Sequence, residues 1–118
     1  MPFMTKELEN RFKKVGSQRH NPDPIVIARY FHPYVYQTWF ATEYEPTTKM
    51  FFGYICVFDK YRDVWKNFAL KELEEPCGFR TMFNRKMHRG LCSIAHDMNF
   101  SEKPLSQALK EEEKPKQK

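Results

Sequence analysis

Three runs decide the fold: Ile25-Val26-Ile27-Ala28-Arg29-Tyr30-Phe31, Gln37-Thr38-Trp39-Phe40-Ala41-Thr42-Glu43-Tyr44, and Lys49 to Phe58. Each is dense in β-branched and aromatic residues, whose side chains suit a pleated, half-buried surface. The links between them, His32-Pro33-Tyr34-Val35-Tyr36 and Glu45-Pro46-Thr47-Thr48, are short and carry proline, which fixes φ and withholds a ladder donor. Links this short imply antiparallel neighbours, because a parallel crossover needs about a dozen residues or more. The three runs therefore read as a β-meander.

Outward from that centre, Asp59 to Asp63 reads as a turn and Val64 to Leu70 as a fourth strand. It leads into one or two helical turns at Lys71 to Glu75, closed by Pro76. Leu91 to Met98 reads as a closing strand, with Leu91, Ser93, Ala95 and Asp97 on one side. At the start of the chain Thr5 is placed to cap a helix, Leu8, Phe12 and Val15 recur at helical spacing, and Gly16 stops it. Near the end Ser101 is the expected cap of a second helix, with Pro104 in its first turn and Leu105, Ala108 and Leu109 as its buried stripe. The fold class expected is α+β: a four- to five-stranded, mainly antiparallel sheet packed by N- and C-terminal helices. Residues 1–110 form its single domain, and residues 111–118 a charged, disordered tail.

Composition agrees with one domain. The chain has 118 residues, of which 41% are hydrophobic and 16% aromatic, so fewer but larger side chains must fill the interior. Eight prolines against four glycines favour stiff turns over flexible linkers. Neither a secretory leader nor an apolar run of the ~20 residues a membrane helix needs is visible, so a soluble, cytoplasmic protein is expected, without contact to membranes. Cys56, Cys77 and Cys92 are odd in number and unevenly spaced, which suits a reducing compartment better than a disulfide framework. The net charge of +5 and a pI near 9.1 favour anionic partners.

Several constellations bear on chemistry. A turn centred near Tyr34 and Val35 brings Arg29 close to Ala41, with Glu43 diagonally in reach of its guanidinium. Asp97 joins them as a polar network fixing strand register. Gly53 lies between Phe52 and Tyr54 inside a strand, where glycine signals a bulge or a close approach, and large rings lying over the gap are the expected reason. Cys77, His88, Cys92 and His96 make up the donor set of a structural zinc site. Gly90 and the strand-like Leu91 to Met98 spread those donors too widely to share one ion, so neither a metal nor a cofactor is expected. Hydrolysis would draw on Glu43, Asp97 and His96, but no nucleophile elbow, phosphate loop or metal-binding His-Glu motif accompanies them. Arg80, Arg85, Lys86 and Arg89, interleaved with Phe79 and Phe83, pair cations with rings as sequence-tolerant single-strand binders do. The favoured reading of that segment is a solvated helix face above a Phe and Met stripe.

Met4-Thr5-Lys6-Glu7-Leu8, Asp23 to Phe31, Thr38-Trp39-Phe40-Ala41-Thr42-Glu43-Tyr44-Glu45-Pro46, Phe51-Phe52-Gly53-Tyr54 and Phe68 to Leu73 together resemble the successive motifs of the domain-of-unknown-function 2958 family. The likeness is collinear from about Met4 to Leu109. These are small proteins of bacteria and their plasmids, phages and integrated mobile elements. The resemblance implies a compact domain, supplies no established activity, and places Arg29, Trp39, Thr42, Glu43, Gly53 and Asp97 at motif positions, Arg29 where relatives often carry Lys. Two departures stand out. Glu74 to Arg89 is longer and more basic than the short glycine-containing link of the family, and His96-Asp97-Met98-Asn99-Phe100 replaces an Arg-Asp-aliphatic-His-Phe ending.

The function expected is that of a non-enzymatic accessory or binding protein of a virus, plasmid or mobile genetic element, acting through macromolecular contacts with protein or nucleic acid. Arg29, Trp39, Glu43 and Asp97 are its candidate binding residues, and Arg80, Arg85, Lys86 and Arg89 its candidate nucleic-acid contacts. The alternative is a small hydrolase or metal-dependent enzyme using Glu43, Asp97 and His96.

Overall fold

The computed structural model describes residues 3–32, 37–57, 63–74 and 94–113. The turn at Tyr34 and Val35, most of the turn before Asp63, the stop at Pro76, the basic stretch from Cys77 to Gly90, Leu91 to Ser93 and the tail from Lys114 onward lie outside these residues.

Helix α1 spans Lys6–Val15. Thr5 caps it as expected, its hydroxyl accepting the Leu8 N–H at 3.1 Å, and Gly16 ends it at φ 72°, a left-handed conformation that glycine adopts without strain. Strands β1 (Ile25–Val26), β2 (Ala28–Phe31), β3 (Gln37–Glu45), β4 (Met50–Val57) and β5 (Val64–Ala69) follow, then α2 (Leu70–Glu74), β6 (Ala95–His96), β7 (Lys103–Pro104) and α3 (Leu105–Glu113). Five strands form an antiparallel sheet in the order β5-β4-β3-β2-β6, and β1 pairs with β7 in a separate two-stranded sheet. The architecture is the expected α+β one, with a meander at its centre and a helix from each end of the chain packed on it. No described helix is long and apolar enough to cross a membrane.

One face of the sheet buries Ala28, Tyr30, Trp39, Ala41, Phe51, Ile55 and Phe68 beneath Phe12 of α1 and Leu73 of α2. Phe51 is its hub. Its ring lies 4.8 to 5.8 Å, centroid to centroid, from those of Tyr44, Phe68, Tyr30 and Phe12. A core short of aliphatics is thus filled by a few large, interlocked rings. The opposite face buries Val26, Phe40 and Cys56 beneath Leu105 and Ala108 of α3.

Five expectations need correction. The first run is not one strand: both Ile27, through its N–H, and Ala28, in the ladder, address Ala41. The alternation slips there, so Ile27, Ala28 and Tyr30 enter one core while Val26 enters the other. The β2–β3 register is also displaced by one residue, placing Arg29 opposite Phe40 and Ala28 opposite Ala41.

The gap at Gly53 is filled by backbone, not by rings. The β3–β4 register shifts between Ala41 and Glu43, leaving Thr42 as the extra residue of a bulge, and a Cβ on Gly53 would stand 2.0 Å from the Phe40 carbonyl oxygen.

Ser101 does not cap the C-terminal helix. Lys103 and Pro104 pair with β1 instead, and the helix begins at Leu105. Its cap comes from far away in sequence: the Asp23 carboxylate accepts the Ser106 N–H at 2.9 Å and the Ser106 hydroxyl at 2.7 Å. That helix runs on through Glu113, so Glu111, Glu112 and Glu113 belong to the folded domain and not to the tail.

Candidate functional site

Three side-chain groups on this frame could carry function. The first surrounds Arg29. Its position on β2 turns it toward α3, where its guanidinium donates Nη1 to Asp97 Oδ2 at 3.0 Å and Nε to Glu112 Oε1 at 3.1 Å. The Thr38 hydroxyl donates to Glu112 Oε2 at 3.0 Å, and the ring of Phe31 lies 4.8 Å beneath the guanidinium carbon. Asp97 is held in turn by its main chain, its N–H donating to the Arg29 carbonyl. The expected Arg29–Asp97 pair therefore forms, but Glu112 fills the place assigned to Glu43. Half-buried and fully partnered, this group ties α3 and the segment after β6 to the sheet.

The second group occupies the bulge. Thr42 as an extra residue moves Glu43 onto the face of Phe52, its ladder partner, instead of leaving it beside Trp39 and Ala41. There its carboxylate accepts the Gln18 main-chain N–H at 2.9 Å and Arg19 Nε at 3.3 Å. The Gln18 side chain is buried alongside. Its amide donates to the carbonyls of Ile25 and Thr42, and its oxygen accepts the Ile25 N–H at 2.7 Å, so one side chain serves as a rung between β1 and the bulged strand. A groove of about 870 Å³ opens here between α1 and the β3–β4 hairpin, lined by Lys6, Lys13, Arg19, Glu43, Tyr44 and Phe52 among others. Burial, then the nearby charges of Glu9 and Glu74, raises the Tyr44 phenol above its ordinary pKa. The groove's lining includes neither Asp97 nor His96.

The three residues of the hydrolytic reading consequently stand in separate settings. Glu43 is bound to Arg19, Asp97 to Arg29, and His96 lies on the ring of Tyr30 at 4.8 Å. Trp39, the remaining candidate from the Trp-Phe-Ala-Thr-Glu block, is buried in the α1 core. Arg80, Arg85, Lys86 and Arg89 lie outside the described residues, as do Cys77, His88 and Cys92 of the zinc set. Among the described residues no group of three or more His, Cys, Asp or Glu is arranged to hold a metal ion.

The third group was missed by sequence reasoning. On the face of the sheet shared with α3, the ring of Phe52 stacks on that of Trp65 at 5.6 Å and 11°, and Tyr54 meets Trp65 edge-on at 5.2 Å. The Arg19 guanidinium caps the row, 4.0 Å from the Phe52 centroid. Trp65 is 40% exposed and Val64, next to it, 46%. The signal available was the run Val64-Trp65-Lys66-Asn67, two apolar residues followed by two polar ones, which gives neither face of the strand that ends the meander a continuous apolar row. The Tyr54 phenol is raised by its burial and then by the charge of Asp63 close by.

Fold and sites define a small α+β domain whose described charged side chains tie its elements together and whose β4 and β5 carry a row of rings with Trp65 exposed. The chain belongs to the DUF2958 family: residues 3–114, nearly its whole length, match the family described as "Protein of unknown function (DUF2958)". No curated protein and no solved structure matches it.

Proposed function

We propose that this chain is a non-enzymatic binding protein that acts through macromolecular contacts, with the Phe52–Trp65–Tyr54 row as its contact surface. The observation that carries the proposal is the exposure of Trp65 within an ordered stack of rings capped by Arg19. Trp, Tyr and Arg are enriched among the residues that dominate binding energy where proteins meet, because each joins a large contact area to a polar group. The polar groups of the motif residues support the same reading, since Arg29, Asp97 and Glu43 are each engaged within the fold. A virus, plasmid or other mobile element remains the setting proposed from the family likeness. The basic run Arg80, Arg85, Lys86 and Arg89 is its nucleic-acid arm.

The test is photo-crosslinking of the full chain in cells, with p-benzoylphenylalanine in place of Trp65 or, as a control, of Lys14 on the outer side of α1. A discrete adduct from position 65 and none from position 14 is expected. Absence of an adduct at 65, or the same adducts from both positions, overturns the proposal. Retention on single-stranded DNA, compared between the wild type and the variant with Arg80, Arg85, Lys86 and Arg89 all changed to Ala, then reports on the basic run alone. Equal retention by the two removes that arm.

A further inference from the structure

We infer that β5 is a docking edge for an extended segment of another protein, which adds to the sheet beside Val64–Ala69 with an apolar side chain against Trp65 and an acidic one opposite Lys66. The inference rests on the binding reading above and names its class of partner.

Strand β5 ends the sheet order, and among the described residues it pairs only with β4. Among the described residues its outer side therefore presents main-chain N–H and C=O groups at the spacing that an added strand requires. The side chains along it are exposed on both faces from Val64 to Asn67. Residues opposite one another in a ladder share a face, so an incoming residue beside Trp65 would join the ring row, and its neighbour in sequence would lie beside Lys66 on the other face. Lys66 is short of company there. Its partner on β4 is Gly53, which has no side chain, and no described acid pairs with it. An acidic residue on the incoming strand supplies the missing opposite charge.

A second copy of this chain fits less well. A two-fold pairing of β5 with itself must centre on a residue for partners to share a face. Centred on Trp65, Lys66 or Asn67, it sets Lys66 against Val64, Lys66 or Phe68 of the second copy, and never against an acid. Nucleic acid fits less well too. The faces on which bases would stack are taken up by ring on ring and by Arg19, whose charge Glu43 already balances, and Asp63 adds a negative charge beside Tyr54.

The experiment selects short linear displayed peptides against the immobilised full chain, followed by affinity measurements on the enriched sequences. Enriched peptides should alternate an apolar with an acidic residue. Trp65→Ala and Lys66→Glu should each weaken them by about tenfold or more, with circular dichroism confirming that both variants fold. N-methylation of alternate peptide amides should abolish binding in one register and spare it in the other, since only the amides facing β5 donate. No enrichment over the Trp65→Ala protein, or binding indifferent to N-methylation in both registers, overturns the inference. So does displacement of the peptides by oligothymidylate, or a Trp65-dependent dimer in sedimentation. A crosslink from position 65 to nucleic acid would preserve the proposed function while overturning the added strand.

Discussion

Arg29 and Glu112 meet across 83 positions of sequence, joined by hydrogen bonds from Nε to Oε1 at 3.1 Å and from Nη2 to Oε2 at 3.3 Å. The Glu112 side chain is 10% exposed and that of Arg29 20%, so water screens the pair only in part. Removing the carboxylate leaves a guanidinium still held by Asp97 and a Thr38 hydroxyl without its acceptor. Glu112→Ala is expected to cost about 2 kcal/mol. It should lower the urea midpoint with little change in slope, and a double-mutant cycle with Arg29→Met should return a coupling of about 1 kcal/mol or more.

Gly53 and Gly16 should respond to alanine for different reasons. At Gly53 the new Cβ meets the Phe40 carbonyl oxygen at 2.0 Å and its carbon at 2.9 Å, and both belong to a strand that cannot swing aside. Gly53→Ala is therefore expected to cost on the order of 3 kcal/mol and to disturb the bulge, visible as shifted amide resonances of Ala41, Thr42 and Glu43. Around Gly16 nothing lies within 4 Å, and only its φ of 72° resists a side chain. Gly16→Ala should cost about 1 kcal/mol and leave the sheet resonances in place.

The strands were legible because Trp39, Phe40, Phe51 and Phe68 mark them with residues that have few other places to go, and short proline-bearing links admit one pairing order. The N-terminal helix was legible because its cap, its stripe and its stop all lie within a dozen positions, from Thr5 to Gly16. What escaped depends on distant contacts. Asp23 decides where α3 begins, and nothing around Ser106 in the sequence points to it. The bulge at Thr42 leaves one composition mark, Gly53, and that mark lies on the other strand. Glu43 changed face because of it, and Glu112, hidden in a run of glutamates resembling a tail, took its place beside Arg29. Trp65 was passed over because a tryptophan in a strand is ordinarily core, whereas here it is 40% exposed on the last strand of the described sheet order.

Acid should loosen the seam between α3 and the rest of the domain. The Asp23 carboxyl is held below its ordinary pKa by the Ser106 hydroxyl and then by the Ser106 N–H, and Glu102 is held low by its hydrogen bond from Arg11. A group whose pKa is lower in the folded state stabilises fully above its unfolded pKa and loses that contribution as pH falls through the folded one. The penalty of Asp23→Ala, measured by urea unfolding, should therefore be constant near neutrality and shrink as the pH falls below about 4. A penalty that stays flat below that pH would show that the carboxylate's charge is not what holds Ser106.

Gln18 offers the sharpest reading of the second group. Its amide meets the Ile25 and Thr42 carbonyls and the Ile25 N–H, three main-chain groups that bulge and strand break would otherwise leave unpaired. Gln18→Ala strips all three and opens the site, at an expected cost of about 3 kcal/mol. Gln18→Glu keeps the shape and the acceptor for Ile25, but loses both donors and sets a second carboxylate beside Glu43. At neutral pH it should destabilise at least as much as alanine. On acidification protonation restores one donor and removes the repulsion, so the glutamate variant should gain on the alanine variant as pH falls below about 5, whereas an exposed side chain would leave the three proteins parallel. Urea midpoints of wild type, Gln18→Ala and Gln18→Glu across that range decide between the two.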